Sequence, residues 1–142
     1  MATGETLPML DKKPLLLLMD GHAIVRRAFH AIREPLTVRS TDEEVAAVFG
    51  FLNTFLRTLS DRKPTHVAMT FDLPAPTFRH EAFEEYKAQR PPTPPELRGQ
   101  FVRIRQLMDA FRVPIYEQSG FEADDVLGTL CRQAEQQEID TL

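Results

Sequence analysis

The sequence predicts an α/β protein whose sheet is mostly parallel and covered by helices. Three observations carry this expectation. Short continuous apolar runs, of the kind that suits strands buried on both faces, stand at residues 15–19 and 66–71. Segments with helical spacing of apolar residues separate them, so the chain alternates β-α-β-α-β-α. An aspartate closes each run, Asp20 and Asp72, at the carboxyl ends of strands, where open α/β sheets bind their ligands.

Taken in order, residues 1–12 read as a loose tail and 13–142 as one folded unit. Leu15-Leu16-Leu17-Leu18-Met19 is the first strand. Residues 23–32 follow as a helix, with Ile24, Ala28, Ala31 and Ile32 on one face. A polar loop over 35–42 leads to an amphipathic helix at 43–60, whose apolar side carries Val45, Val48, Phe49, Leu52, Phe55, Leu56 and Leu59. Pro64 ends it, and His66-Val67-Ala68-Met69-Thr70-Phe71 is the second strand. The stretch 74–95 holds six prolines and reads as irregular. A helix at 96–111 points Phe101, Ile104, Leu107, Met108 and Phe111 inward; a short strand at 113–116 and a helix at 123–137 follow. Residues 139–142 read as the start of a fourth strand, cut short, which marks the chain as a fragment.

Composition narrows the chemistry. At 142 residues the chain fits a single domain, and 42% hydrophobic content can build a core. A net charge of −4 argues against a general nucleic-acid-coating protein, although acids gathered for metals count as negative until metal binds. The single Cys131 excludes an internal disulfide and fits a reducing cytosol. Lys12-Lys13 before the first strand imitates a signal peptide, but the apolar run is too short for that or for a membrane span.

The carboxylates carry the sharpest signal. Asp20, Asp72 and the group Glu122, Asp124 and Asp125, which opens the last helix, lie at places a parallel sheet brings together. Two unit charges 4 Å apart repel by about 4 kcal/mol at an effective dielectric near 20. A hard divalent cation held by oxygen ligands relieves this, so the pattern points to a Mg²⁺ or Mn²⁺ site and to phosphate chemistry. Each acid also has a plainer reading. Asp20 suits a helix N-cap, Asp72 a turn, and acids in a first helical turn favour the macrodipole. Phe78-Arg79-His80, Tyr86-Lys87 and Arg90 would offer cations to a phosphate and a ring to a base, or form a solvated loop; residues 79–112 hold seven Lys or Arg and five Asp or Glu. His22, His30, His66 and His80 show no metal spacing and read as packing or surface residues. There is no glycine-rich phosphate loop.

The ordered set Leu17-Leu18-Met19-Asp20-Gly21-His22, Arg27-Ala28-Phe29-His30-Ala31, Val48-Phe49-Gly50-Phe51, Phe71-Asp72, Phe78-Arg79-His80, Tyr86-Lys87-Ala88-Gln89-Arg90-Pro91-Pro92 and Gly120-Phe121-Glu122-Ala123-Asp124-Asp125-Val126-Leu127 resembles the 5′-nuclease domain of bacterial DNA polymerase I. That domain belongs to the flap endonuclease family and has a PIN-like fold. The resemblance implies a divalent-metal phosphodiesterase that acts as a 5′-3′ exonuclease and 5′-flap endonuclease. Its substrates would be DNA with a 5′ flap, nick or RNA primer. It also implies two metal ions in the complete domain, held by Asp20, Asp72, Glu122, Asp124 and Asp125. Lys87 and Arg90 match cations of the family's arch that meet the scissile phosphate, with 74–95 as the arch segment. Tyr86, Arg27 and Arg79 match positions beside the DNA strand. The family's pattern continues past Leu142 with further aspartates, a duplex-gripping helix-hairpin-helix and the polymerase. Two positions depart from it: Asp42-Glu43-Glu44-Val45 replaces a Gly-x-Pro-Thr-like stretch, and Arg26 replaces a common tyrosine. A noncatalytic DNA-binding fragment and a PIN-type ribonuclease are the rival readings.

Overall fold

In the computed structural model of the chain, residues 12–142 are described. The tail expected over 1–12 therefore lies outside the described residues except for Lys12, whose Nζ donates to the carbonyl of Lys63. Four parallel strands form one sheet in the order β3-β2-β1-β4: β1 (Leu15–Asp20), β2 (His66–Thr70), β3 (Ile115–Tyr116) and β4 (Asp140–Thr141). Five helices connect them: α1 (Gly21–Ala31), α2 (Ala46–Arg62), α3 (Phe78–Ala82), α4 (Pro95–Ala110) and α5 (Ala123–Gln136).

The strand order reverses direction once. The chain moves outward from β1 to β2 to β3, then α5 carries it back across to β4 on the far side of β1. With right-handed crossovers this puts α5 on the face opposite α2 and α4. The core lies under α2 and α4, where Phe51, Phe55, Ile104 and Met108 are fully buried against Leu17, Met19 and Met69. β1 and β2 pair in register from Leu16↔His66 to Asp20↔Thr70, so Asp20 and Asp72 emerge at the same end of the sheet.

Some expected elements shift. α2 begins at Ala46 rather than at residue 43. Residues 36–45 instead fold back on themselves, with Val38 donating to Glu43, Val45 donating to Leu36 and a bridge between Thr37 and Glu44. The turn uses a left-handed Asp42 (φ 55°), which ends any helix there. The buried side of α2 is also rotated from the expected one: Phe49 and Leu56 are exposed, whereas Phe51, absent from the expected face, is fully buried and stacks on Phe55. Phe111, expected inside, is exposed, as is Ala31 at the end of the apolar face expected for α1. Residues 74–95 are irregular only in part, because they contain α3.

One helix start is capped from a distance. Val45 offers α2 no side-chain cap. The wholly buried Gln100 of α4 replaces it: its Oε1 accepts from the N–H groups of Ala47 (2.7 Å) and Val48 (3.2 Å). Two orphan donors of a helix N-terminus are thereby satisfied inside the core.

Candidate active site

The carboxyl ends of β1 and β2 and the N-terminus of α5 meet around a cleft of about 340 Å³. Asp20, Asp72, Glu122 and Asp124 line it together with Lys87 and Arg90. Four of the five predicted acids are thus brought together. The fifth, Asp125, turns away to Arg79.

Each acid is fixed by the local fold. Asp20 is the N-cap of α1, its Oδ1 accepting from Ala23 N–H at 3.0 Å. The capping role and the place in the cleft coexist, because the cap occupies one carboxylate oxygen. Burial raises the Asp20 pKa above the ordinary carboxylate value, and the charges of Asp72 and Asp124 push the same way. Asp72 follows β2 and caps a different element: its Oδ1 accepts from Ala123 N–H, at the first residue of α5, at 2.7 Å. Its own N–H donates to Nδ1 of His22 at 3.2 Å. His22 therefore presents an unprotonated Nδ1, in keeping with the burial that lowers its pKa, and its ring packs on Phe101 at 4.5 Å. A continuous chain of contacts, His22 to Asp72 to Ala123, ties α1, β2 and α5 at the cleft floor. Asp124 is exposed on the rim.

Glu122 and Asp125 are held by cations from the 74–95 segment. Arg79 makes a two-pronged contact with Asp125 (2.7 and 2.8 Å) and reaches Glu122 at 3.2 Å. Those hydrogen bonds hold Asp125 at a pKa of about 2. Glu122 accepts from Tyr86 Oη at 3.1 Å and from Lys87 Nζ. Burial alone would raise the Glu122 pKa, and the Lys87 and Tyr86 hydrogen bonds outweigh it. Asp125 also accepts from Glu122 N–H at 2.9 Å, closing the first turn of α5. Lys87 itself adopts φ 56°, the left-handed region, within a run of turns rather than a helix.

Among the described residues, no three His, Cys, Asp or Glu side chains are drawn into a ready metal cage. The acids share a cleft, with Glu122 neutralised by Lys87 and Arg79. Their chemistry still fits a hard divalent cation: several carboxylate oxygens facing one space, with Asp20 raised partly by its like-charged neighbours. Arg27 is exposed on α1 and does not line the cleft, whereas its neighbour Arg26 does. His22 and Arg26 are the cleft residues that sequence reasoning passed over. The only available signal was their position within about two helical turns of Asp20.

The family described as 5′-3′ exonuclease, N-terminal resolvase-like domain, matches residues 15–142. The chain is 48% identical over 129 residues to DNA polymerase I of Chloroflexus aurantiacus, covering 91% of this chain. It is 45% identical over 125 residues to that of Bacillus caldotenax, covering 88% of this chain. It spans 14% of the length of each of these two relatives. In fold it resembles a crystal structure of T5 5′-exonuclease with bound zinc. There the TM-score is 0.56 at 18% identity, covering 86% of this chain and 45% of that one. A second T5 structure, co-crystallised with metal ions, gives a TM-score of 0.59 at 19% identity, with the same coverage of both chains. The PIN-like α/β fold expected from the sequence is the fold observed.

Proposed function

The chain belongs to the family of 5′-3′ exonuclease N-terminal, resolvase-like domains, and on that premise we propose that residues 13–142 form the metal-binding face of a 5′-nuclease. It would act on DNA with a 5′ flap, nick or RNA primer, as part of a DNA polymerase I in the reducing cytosol. The observation that carries this reading is the single cleft in which Asp20, Asp72, Glu122 and Asp124 face Lys87 and Arg90.

Those four acids, with Asp125 behind them, would hold Mg²⁺ or Mn²⁺, as two ions in the complete nuclease domain. Bound there, divalent metal supplies Lewis-acid activation of the phosphodiester and of water. The protein's own groups do the rest. Arg90, without a carboxylate partner among the described residues, attracts a phosphate to the rim. Lys87 adds a second cation that stabilises charge developing on the phosphoryl oxygens. Tyr86 and Arg79 orient Glu122 and Asp125 from behind. The His22–Asp72–Ala123 chain fixes one Asp72 oxygen and leaves the other to the cleft.

Mn²⁺ titration tests the site, because a ligand that binds only the native state raises stability by RT ln(1 + [L]/Kd). Mn²⁺ is expected to raise the melting temperature, Asp20→Asn and Asp124→Asn to shrink that shift, and cleavage of a labelled 5′-flap duplex to require the metal. A shift of equal size in both variants would sink the site. A second reading, a noncatalytic DNA-binding module, is favoured by the cations Arg79 and Lys87 that pair with Glu122 and Asp125. It requires flap DNA to bind the chain at saturating Mn²⁺ without being cut.

A further inference from the structure

A second groove, of about 530 Å³, opens on the other side of His22 and Asp72. It shares His22, Arg26 and Asp72 with the acidic cleft, so the two lie side by side. Its character is different. Arg26 of α1, Arg98 and Arg105 of α4, and Thr93 line it. The three guanidinium groups are not equivalent. Arg105 is committed: it pairs with Glu117 and lies over the Phe71 ring at 4.7 Å. Arg98 only donates to the carbonyl of Thr93, at 3.3 Å. Arg26 has no ion-pair partner among the described residues, nor has Arg98. Both are exposed. In a chain of net charge −4, two uncompensated arginines facing one groove beside a carboxylate cleft mark a place built for an anion.

We propose that this groove, through Arg26 and Arg98, binds the phosphodiester backbone of the same nucleic-acid strand whose reacting phosphate lies in the acidic cleft. The inference rests on the nuclease reading of that cleft. The adjacency of the two spaces, through the shared His22, Arg26 and Asp72, selects a strand over a lone anion: a polymer of phosphates can reach both at once, and the Arg pair offsets the repulsion its backbone meets at the four carboxylates. Arg26 and Arg98 would be strand-positioning residues that read no sequence, since phosphate contacts set register without specifying bases.

The test is salt-dependent binding of a fluorescein-labelled 5′-flap duplex to the full chain, by anisotropy, comparing Arg26→Gln, Arg98→Gln and Arg62→Gln. Arg62 lies at the last residue of α2, next to the start of β2 and so at the opposite end of the sheet. It removes the same charge away from the groove. Each lost phosphate contact lowers the slope of log K against log [salt] by about 0.7–0.9. That decrease is expected for Arg26→Gln and for Arg98→Gln, and no change for Arg62→Gln, with the Mn²⁺-induced melting shift kept in Arg98→Gln and Arg62→Gln, which lie outside the acidic cleft. Parent-like slopes in both groove variants, while Arg90→Gln still lowers the slope, would overturn the proposal and leave the nuclease reading standing. No salt-sensitive binding by the parent chain would overturn both. A nucleoside 5′-monophosphate that binds as tightly as the duplex, and loses affinity in Arg26→Gln, would show a lone-phosphate site and overturn the strand assignment.

Discussion

Replacing Asp72 by Asn and by Ala separates its two jobs. One carboxylate oxygen caps α5 through the N–H of Ala123, a residue only 2% exposed. Asn keeps an acceptor of the same reach, and Ala removes it. Loss of a cap costs about 0.5–2 kcal/mol. Here the donor is buried, so the cost lies toward the upper end. For a domain of this size that is a fall of roughly 2–8 °C in melting temperature. Asn brings a compensating gain, because the Asp72 charge is one of the groups that raise the Asp20 pKa. Without metal, Asp72→Asn is therefore expected within about 0.5 kcal/mol of the parent, the range of substitutions that break no buried contact. With Mn²⁺ at 100 times the parent Kd, the parent gains about 2.7 kcal/mol. Asp72→Asn should lose most of that gain, because a neutral amide is a poor ligand for a hard cation. Differential scanning fluorimetry with and without Mn²⁺ measures both effects. An Ala variant as stable as the Asn variant would refute the capping argument, and a full Mn²⁺ gain in Asp72→Asn would remove Asp72 from the metal site.

Three further outcomes follow from the packing. Gln100→Leu leaves the buried N–H groups of Ala47 and Val48 without an acceptor and should cost about 2–3 kcal/mol in urea unfolding, with flap-DNA affinity per folded molecule unchanged; a cost below 0.5 kcal/mol, the scale of surface changes, would mean α4 does not cap α2. Gly21→Ala places a Cβ 2.4 Å from the ring of Phe71, which is 1% exposed, and should destabilise by about 1–3 kcal/mol through overpacking; Phe71→Leu in the same chain should recover part of it, and a raised melting temperature for Gly21→Ala alone would disprove the clash. Asp125 is held at about 2 against an ordinary 3.8 by Arg79, so its contribution to stability is complete above that ordinary value and is lost as pH falls through the lower one. Asp125→Asn should flatten the acid limb of a stability–pH curve in this window, and an unaltered limb would place the Arg79 contact outside the folding equilibrium.

The sheet was legible because a strand buried on both faces has to be continuously apolar, and little else of that length in the sequence is. Leu15-Leu16-Leu17-Leu18-Met19 and the run from His66 left almost no freedom, and β1 and β2 fall where expected. α2 was legible as a helix but not in its orientation. Apolar residues at 48, 49, 51, 52, 55 and 56 spread over roughly 160° of its circumference, so periodicity marks a broad face and does not fix which part of it is buried. Packing against Ile104 and Met108 of α4 makes the choice, and burial of Phe51 and Phe55 leaves Phe49 and Leu56 in solvent. The start of α2 was hidden for a related reason. The fold-back of residues 36–45 is made by main-chain groups, and the acceptor for the first N–H groups of α2 is Gln100, some fifty residues away.

At the candidate site the acids were legible and their partners were not. A carboxylate after a buried strand has only one end of the sheet to occupy, so Asp20 and Asp72 could be placed from the chain alone. Where a long flexible cation reaches is a tertiary matter. Lys87 and Arg79, whose residue types suit a phosphate, lie against Glu122 and Asp125. The two roles are linked by charge. A partly buried carboxylate is costly without a cation, and Lys87 supplies one to Glu122. If Lys87 moves to a phosphate, Glu122 loses one of its two cations and stays oriented by Arg79 and Tyr86. A divalent ion entering there restores the balance that Lys87 gave up. Under the nuclease reading, metal and strand therefore favour each other's binding through Lys87. The left-handed backbone at that residue, away from any helix end where such a conformation is routine, costs energy that a well-packed turn must offset.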